Sequence, residues 1–149
     1  KLAGQPFQTE IPIQAFDPVT PAPPLDDATH ALLAVVTEAG VVPLGNPDRI
    51  KFTYATNWAS YSLGVVAAGL VEVVHGGYDA SFANADPNRV LPIDALRDLV
   101  AAGEIGSLLE RYYVTVGNGT PVETCAAFGA AIAEELVQAG VGGVVLPAT

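Results

Sequence analysis

The strongest constraint on the fold is an alternation of strand and helix patterns in the second half of the chain. Tyr112 to Val116 is β-branched and aromatic, which favours a strand. Residues 120–123 (TPVE) have the pattern of a helix start, with Thr as N-cap, Pro first and Glu third. Val141 to Leu146 is a second apolar run and predicts the next strand. Between them, one helix face predicted to be buried carries Cys125, Phe128, Ile132 and Leu136.

Similar patterns occur earlier in the chain. Ala31 to Val36 is a short continuous apolar run, as expected for a parallel strand buried on both faces. Thr37 to Pro47 is rich in turn residues and predicts a loop, and Leu70 to Val74 predicts a further short strand. Pro92 to Ala102 predicts a helix closed by Gly103. The apolar face predicted for that helix contains Ile93, Leu96, Leu99 and Val100.

This order predicts an α/β fold, specifically a three-layer sandwich with a mostly parallel, Rossmann-like sheet. We expect the fold to be incomplete at its C-terminus, because the strand at Val141 to Leu146 is not followed by a covering helix. Residues 1–27 contain many prolines and predict an extended arm lying along another surface, with a disordered linker as the alternative. Residues 28–149 form the predicted, partial α/β domain.

Composition excludes several classes of function. The formal charge of −10 disfavours a nucleic-acid partner. The single cysteine, Cys125, forms no internal disulfide, and no Cys/His cluster indicates a metal, which fits a reducing cytoplasm. The apolar stretch from Leu63 to Val74 is interrupted and too short to span a bilayer, so we expect no membrane association. The sequence contains no methionine, and we expect a piece of a longer protein.

Two loops are candidates for chemistry because ligands bind beyond the carboxyl ends of parallel strands. In residues 75–79 (HGGYD), the Gly76-Gly77 pair allows backbone N–H groups to converge on an anion. His75 could donate a proton, with Asp79 or Asp86 fixing its tautomer. The alternative is a glycine turn with a histidine bound to backbone, which the pattern alone favours.

The second loop is residues 117–120 (GNGT), which precede a helix N-terminus where free N–H groups favour an anion. Asn118, Gly119 and Thr120 could hold a carboxylate or phosphate, although an ordinary tight turn uses the same residues. This leaves open an alternative function, a small anion- or nucleotide-binding α/β module without catalysis.

Several blocks, taken in order, resemble the selenoprotein B subunit of the glycine, sarcosine and betaine reductases, and D-proline reductase subunits are similar. The resemblance covers most of the chain from about Phe16 onward. The blocks are residues 37–47 (TEAGVVPLGNP), 75–79 (HGGYD), 84–99 (NADPNRVLPIDALRDL), 103–105, 116–120 (VGNGT), 128–129 and 141–149 (VGGVVLPAT).

The resemblance implies a reductase subunit that cleaves a C–N bond of a small amino acid or betaine reductively. It implies a selenocysteine or cysteine nucleophile immediately after Thr149, so that these residues alone would be inactive. No cofactor is expected to bind this chain directly. A partner subunit's pyruvoyl group would bind the substrate amine, and a selenoprotein or thiol carrier and a hetero-oligomer are also implied. His75 and Asp79 would be supporting catalytic residues, and the implied substrate-binding residues are Gly76, Gly77, Asn118, Gly119 and Thr120.

Overall fold

The computed structural model describes residues 18–149. Two single-turn 3-10 helices lie at Ala28–His30 and Pro87–Arg89. The remaining elements, in chain order, are β1 (Leu32–Thr37), β2 (Val41–Pro43), β3 (Ala59–Ser62), α1 (Leu63–Ala67), β4 (Val71–Val73), α2 (Ser81–Ala85), α3 (Ile93–Ala101), β5 (Ser107–Val114), α4 (Val122–Gln138) and β6 (Gly143–Val145).

The main sheet has four strands in the order β3-β5-β1-β6. Strand β1 is central and pairs in parallel with both β5 and β6, whereas β3 runs antiparallel to β5. Strands β2 and β4 form a separate antiparallel pair. The predicted α/β fold with a mostly parallel sheet is therefore confirmed, although the sheet is mixed.

The two faces of the sheet bury different sets of side chains, because successive residues of a strand point to opposite faces. On one face Ala34 and Tyr113 pack against Ile132 and Leu136 of α4. On the other face the larger cluster includes Val35, Tyr112, Val114, Leu91 and Ile93. Burying a valine, leucine or isoleucine side chain completely contributes about 1.5–3 kcal/mol to the stability of the fold. Helix α4 therefore packs on one face of the sheet through its apolar side chains. Residues of the loops that follow β1 and β5, such as Ala39 and Val116, pack in the cluster on the other face.

Two strand predictions need correction. The strand predicted at Leu70 to Val74 forms, but it pairs with β2 outside the parallel sheet. Strand β2 lies inside the segment predicted as a loop, and its three residues, ending in Pro43, are too few to show a period. The strand predicted at Tyr112 to Val116 ends at Val114, because Val116 forms only an isolated bridge with Ala39.

The predicted capping box of α4 is wrong. The N-cap is Pro121, and no side chain caps the helix. The Thr120 hydroxyl instead donates to the carbonyl of Val116 and accepts from the N–H of Ala55. Cys125, predicted to be buried on the apolar face, is exposed. Helix α3 is confirmed, but Leu99 is 41% exposed and does not belong to its buried face.

The predicted arm can be followed only in part, since residues 1–17 lie outside the described residues. Residues 18–27 contain no helix or strand and are mostly exposed. Within residues 18–149, no helix is both long and apolar enough to cross a membrane.

Candidate functional site

The carboxyl ends of the three parallel strands converge on a cavity of about 340 Å³. The segments after β1, β5 and β6 each contribute to its wall, and the segment after β4 closes it from the side. The lining residues are Glu38, His75, Gly77, Tyr78, Gly117, Asn118 and Thr149. The cavity therefore lies where ligands bind in open α/β sheets.

Gly40 lets the β4 segment approach this edge of the sheet. Its N–H donates to the carbonyl of Thr115, and its own carbonyl accepts from the N–H of Val74. Its φ is +68°, and a Cβ added there would lie 2.1 Å from the carbonyl oxygen of Val74. A glycine is required here, because both the left-handed backbone and the close approach exclude a side chain.

The His75 side chain is buried in the wall of the cavity, with 4% of it exposed. Its Nδ1 accepts from the N–H of Gly77 at 3.0 Å, so the neutral ring carries its proton on Nε2. Nε2 lies 3.4 Å from Oε2 of Glu38, but the two are not aligned for a hydrogen bond. Among the described residues Nε2 has no hydrogen-bond partner, which is costly for a buried polar group unless a ligand satisfies it.

Glu38 follows β1 directly and connects two parts of the cavity. Its Oε1 accepts the N–H of Thr149 at 2.8 Å and the Thr149 hydroxyl at 2.6 Å. Its Oε2 faces His75. A Cβ added at Gly117 would lie 2.9 Å from this Oε2, so the glycine leaves room for the carboxylate. The side chain is 33% exposed, so this negative charge is open to a ligand.

Tyr78 packs against the histidine ring, with 4.6 Å between ring centroids. Its hydroxyl donates to the carbonyl of Ala39 at 3.1 Å. Burial, and then the charge of Glu38, raises the pKa of Tyr78 above its usual value. The phenol therefore stays protonated at neutral pH and acts as a fixed wall beside His75.

The side-chain amide of Asn118 also lines the cavity. Its Nδ2 donates to Oγ1 of Thr53 at 3.3 Å, which uses one of its two hydrogens. Its backbone carbonyl accepts from the N–H of Tyr54 and from the Thr53 hydroxyl. The amide is thereby fixed in place, and its second N–H has no partner among residues 18–149.

The structure brings together three of the predicted substrate-binding residues, namely Gly77, Asn118 and the adjacent Gly76. A Cβ at Gly76 would lie 2.9 Å from the ring of Phe52 and 3.4 Å from Nδ2 of Asn118. Gly119 and Thr120 are not part of the wall. Gly119 packs against the ring of Tyr54, and the Thr120 hydroxyl is engaged as both donor and acceptor. Binding roles for all five residues stay predictions.

Asp79 lies apart from the cavity. Its Oδ1 accepts from the N–H of Ser81 at the start of α2, and this hydrogen bond lowers the pKa of Asp79. Asp86 likewise accepts from the N–H of Asn88. The expectation that either carboxylate fixes the tautomer of His75 is wrong, since the N–H of Gly77 does so. The supporting catalytic role of Asp79 stays a prediction that this geometry does not favour.

Glu38 and Thr149 belong to the site but were not predicted as site residues, whereas Tyr78 and Gly117 lie in the two predicted loops without an assigned role. One signal was present for Glu38, an acidic residue immediately after a buried parallel strand. The residues around Glu38 have the composition of a turn, and Thr149, to which Glu38 is hydrogen-bonded, is distant in sequence. The local sequence therefore did not show this contact.

A larger groove, of about 600 Å³, lies between β5 and the C-terminal end of α4. It is lined by Leu109, Arg111, Tyr113, Glu135, Gln138 and Ala139. The Tyr113 hydroxyl already donates to Oε2 of Glu135, and the groove is away from the loops at the carboxyl ends of the strands. It is therefore a weaker candidate than the smaller cavity. In the described part of the chain, no three His, Cys, Asp or Glu residues are grouped so that they could hold a metal ion.

Known proteins similar to this chain are components of reductase complexes. The chain is 47% identical over its whole length to a glycine reductase complex component B subunit gamma from Carboxydothermus hydrogenoformans, and 43% identical to a betaine reductase complex component B subunit beta from Peptoclostridium acidaminophilum. It spans 35% of the length of each. A D-proline reductase subunit gamma from Acetoanaerobium sticklandii is 32% identical over 95% of this chain and 58% of its own length. No solved structure matches the chain.

The family model for glycine/sarcosine/betaine reductase selenoprotein B matches residues 1–149, the full sequence given. This match and the similar proteins name the same family that the sequence blocks, including the loops of the cavity, resemble. The chain belongs to the glycine/sarcosine/betaine reductase selenoprotein B family.

Proposed function

We propose that this chain is part of the B component of a reductase that cleaves the C–N bond of glycine, sarcosine, betaine or D-proline. Family membership supports the reaction class, and the cavity at the strand ends supports a site for a small polar substrate. Because the chain spans about a third of the length of its glycine and betaine reductase relatives, the complete protein supplies the remaining parts of the site.

The observation that carries the proposal is the environment of His75. A buried N–H that has no hydrogen-bond partner within residues 18–149 faces a carboxylate oxygen across a cavity built from the ends of three parallel strands. A folded chain seldom leaves such a group unsatisfied unless a ligand binds there. An ordinary glycine turn would explain the hydrogen bond between Nδ1 of His75 and the backbone N–H of Gly77. It would not explain why Nε2 is buried without a partner among the described residues.

The position of Thr149 supports a nucleophile at this cavity. The family resemblance implies a selenocysteine or cysteine immediately after the strand at Val141 to Ala148. Since Thr149 is bound to Glu38 in the cavity wall, a nucleophile at the next position would enter the same space. Its selenolate or thiolate would attack the substrate carbon that bears nitrogen, so that a C–Se or C–S bond forms while the C–N bond breaks and the nitrogen leaves with the bonding electron pair as an amine. Cys125 is exposed at the start of α4 and does not line the cavity.

The partner group that the resemblance implies would act from outside this chain. A pyruvoyl group supplies an electrophilic carbonyl for a primary or secondary substrate amine, as in glycine, sarcosine or D-proline, and it would belong to the partner subunit. The quaternary nitrogen of betaine has no lone pair for such a bond. The part played by this chain would be to bind and orient the substrate, which fits a cavity with a His75 N–H that no described residue engages and a part-exposed carboxylate at Glu38. A hetero-oligomer with a selenoprotein or thiol carrier, a cytoplasmic location and a Rossmann-like three-layer domain complete the proposal.

The test is an assay of the complete reductase complex with glycine, sarcosine, betaine and D-proline as alternative substrates. Reductive release of the amine, or ring opening of D-proline, with one of the four is the expected result. Residues 1–149 alone should show no activity with any of them. A complex that reduces none of the four, while the protein binds a nucleotide tightly, would instead support the small anion- or nucleotide-binding module.

A further inference from the structure

The cavity contains a donor and an acceptor that lie close together but do not satisfy each other. Nε2 of His75 and Oε2 of Glu38 are 3.4 Å apart, and Nε2 has no hydrogen-bond partner among the described residues. Two hydroxyl groups of the wall, those of Tyr78 and Thr149, are already engaged with other described residues. Tyr78 donates to Ala39, and the Thr149 hydroxyl and N–H both donate to Oε1 of Glu38.

Among the described residues, the side-chain donors and charges of the wall that have no partner are the Nε2–H of His75, one N–H of the Asn118 amide and Oε2 of Glu38. Two are donors that suit a carboxylate, and the third is a negative charge that suits a cation. A small zwitterion with its carboxylate and its cationic nitrogen on neighbouring atoms complements all three.

We propose that His75 and Asn118 bind the carboxylate of an α-amino acid or betaine and that Glu38 faces its cationic nitrogen. This inference rests on the proposed function and assigns the residues that orient the substrate within that site. A primary ammonium would donate to Oε2 of Glu38, whereas a quaternary nitrogen would be attracted by charge alone. The carbon between the two groups would then lie beside Thr149, which lines the same cavity.

The assignment can be tested by binding alone, with the complete protein kept apart from the other components so that no turnover occurs. Acetate serves as the probe for the carboxylate, methylammonium as the probe for the cation and glycine as the zwitterion. Affinities are measured by ligand-observed NMR titration. The variants are Glu38→Gln, Asn118→Asp and His75→Gln, with His30→Gln as the matched control. His30 also pairs with a carboxylate, Asp27 at 2.6 Å, but its side chain is 86% exposed and is not among the residues that line the cavity.

The predicted effects differ in sign. Glu38→Gln should strengthen acetate binding and weaken methylammonium binding, each about threefold or more, because it removes a negative charge. Asn118→Asp should do the reverse, since it adds one. His75→Gln should weaken both acetate and glycine about tenfold, the effect of losing one hydrogen bond to a charged group. His30→Gln should change nothing.

A purely structural role for these residues would weaken all three probes together. The assignment is therefore overturned if Glu38→Gln changes acetate and methylammonium binding in the same direction, or if His75→Gln leaves acetate binding unchanged. If Glu38→Gln does not fold, the reversed pattern of Asn118→Asp decides by itself. If the binding pattern appears but the complete complex reduces none of the four substrates, the proposed function fails and the carboxylate site stands.

Discussion

Glu38 and Thr149 are joined by two hydrogen bonds across the carboxyl edge of the sheet. Oε1 of Glu38 accepts both the N–H and the hydroxyl of Thr149, at 2.8 and 2.6 Å. Glu38 follows β1 and Thr149 follows β6, and these neighbouring strands are parallel. One carboxylate thus fixes the end of β6 while its second oxygen faces His75.

The space around this carboxylate predicts a site-specific effect of Gly117→Ala. The added methyl group would lie 2.9 Å from Oε2 of Glu38, which is the movable end of a side chain, so the carboxylate should shift while the fold is retained. We expect a lower kcat/KM in the complete complex with little change in melting temperature.

Gly129→Ala is the control for that experiment, because a Cβ there meets nothing within 4 Å. Gly129 lies inside α4, so alanine should stabilise the protein by about 0.5–1 kcal/mol through helix propensity, without an effect on the cavity. Equal loss of kcat/KM in both variants would argue against a role for the space at Gly117.

Alanine substitutions at Gly40 and Gly45 distinguish the cost of a steric clash from the cost of backbone strain. Both have positive φ, but a Cβ at Gly40 would lie 2.1 Å from the carbonyl oxygen of Val74, whereas one at Gly45 meets nothing within 4 Å. Gly45→Ala should cost about 1–2 kcal/mol of unfolding free energy. Gly40→Ala should cost more than about 4 kcal/mol or prevent folding. Denaturant unfolding measures both, and equal costs would show that the turn at Gly40 is less crowded than described.

Thr120 should stabilise the protein through two hydrogen bonds rather than as an N-cap. Thr120→Ala removes the acceptor of the buried Ala55 N–H and the donor to Val116, at an expected cost of about 1–3 kcal/mol. Thr120→Ser keeps both hydrogen bonds and should cost much less. Thermal unfolding of the two variants distinguishes them, and equal destabilisation would exclude the hydroxyl as the cause.

Alkaline pH should destabilise the fold through two tyrosines, the buried Tyr112 and the partly buried Tyr61. Burial raises the pKa of Tyr112, and burial with a hydrogen bond to Asp48 raises that of Tyr61, both from an ordinary value near 10. Because the folded pKa exceeds the unfolded pKa, the stabilisation is complete below about pH 10 and is lost as pH rises above it. Melting temperatures from about pH 8 to about pH 11 should therefore fall.

Tyr112→Phe should reduce that alkaline loss, because it removes one of the buried phenols, while lowering stability at neutral pH through the lost hydrogen bond to Val41. Tyr54→Phe is the matched control, since Tyr54 is 65% exposed. An alkaline loss of the same size in the wild type and in Tyr112→Phe would contradict this explanation.

Sequence patterns predicted the elements that are long or strongly apolar. The strand near Ala31 to Val36 follows from a continuous apolar run, and the helices at Ile93–Ala101 and Val122–Gln138 follow from apolar periodicity. Both patterns depend only on residues that are near in sequence. Strand β2 has three residues, and its pairing with β4 depends on the Gly40 turn, so no local pattern shows it. The Thr120 hydroxyl does not cap the helix because it donates to the carbonyl of Val116, four residues earlier.

The candidate site was predictable in part for the same reason. The two glycine-containing loops were visible as motifs, and the rule for parallel strands placed them at one edge. Glu38 was not predicted because its function depends on His75 and Thr149, which only the folded chain brings to it. The prediction that Asp79 or Asp86 fixes the His75 tautomer was wrong, because each carboxylate accepts a nearby backbone N–H, that of Ser81 or that of Asn88.

The most direct test of the account is kcat/KM of the complete reductase complex carrying His75→Gln, compared with His30→Gln and the wild type. With whichever of the four substrates the wild type reduces, we predict that His75→Gln loses about tenfold or more while His30→Gln keeps the wild-type value. Circular dichroism confirms that both variants are folded. A folded His75→Gln complex with wild-type kcat/KM would contradict the assignment of this cavity as the site where the substrate reacts.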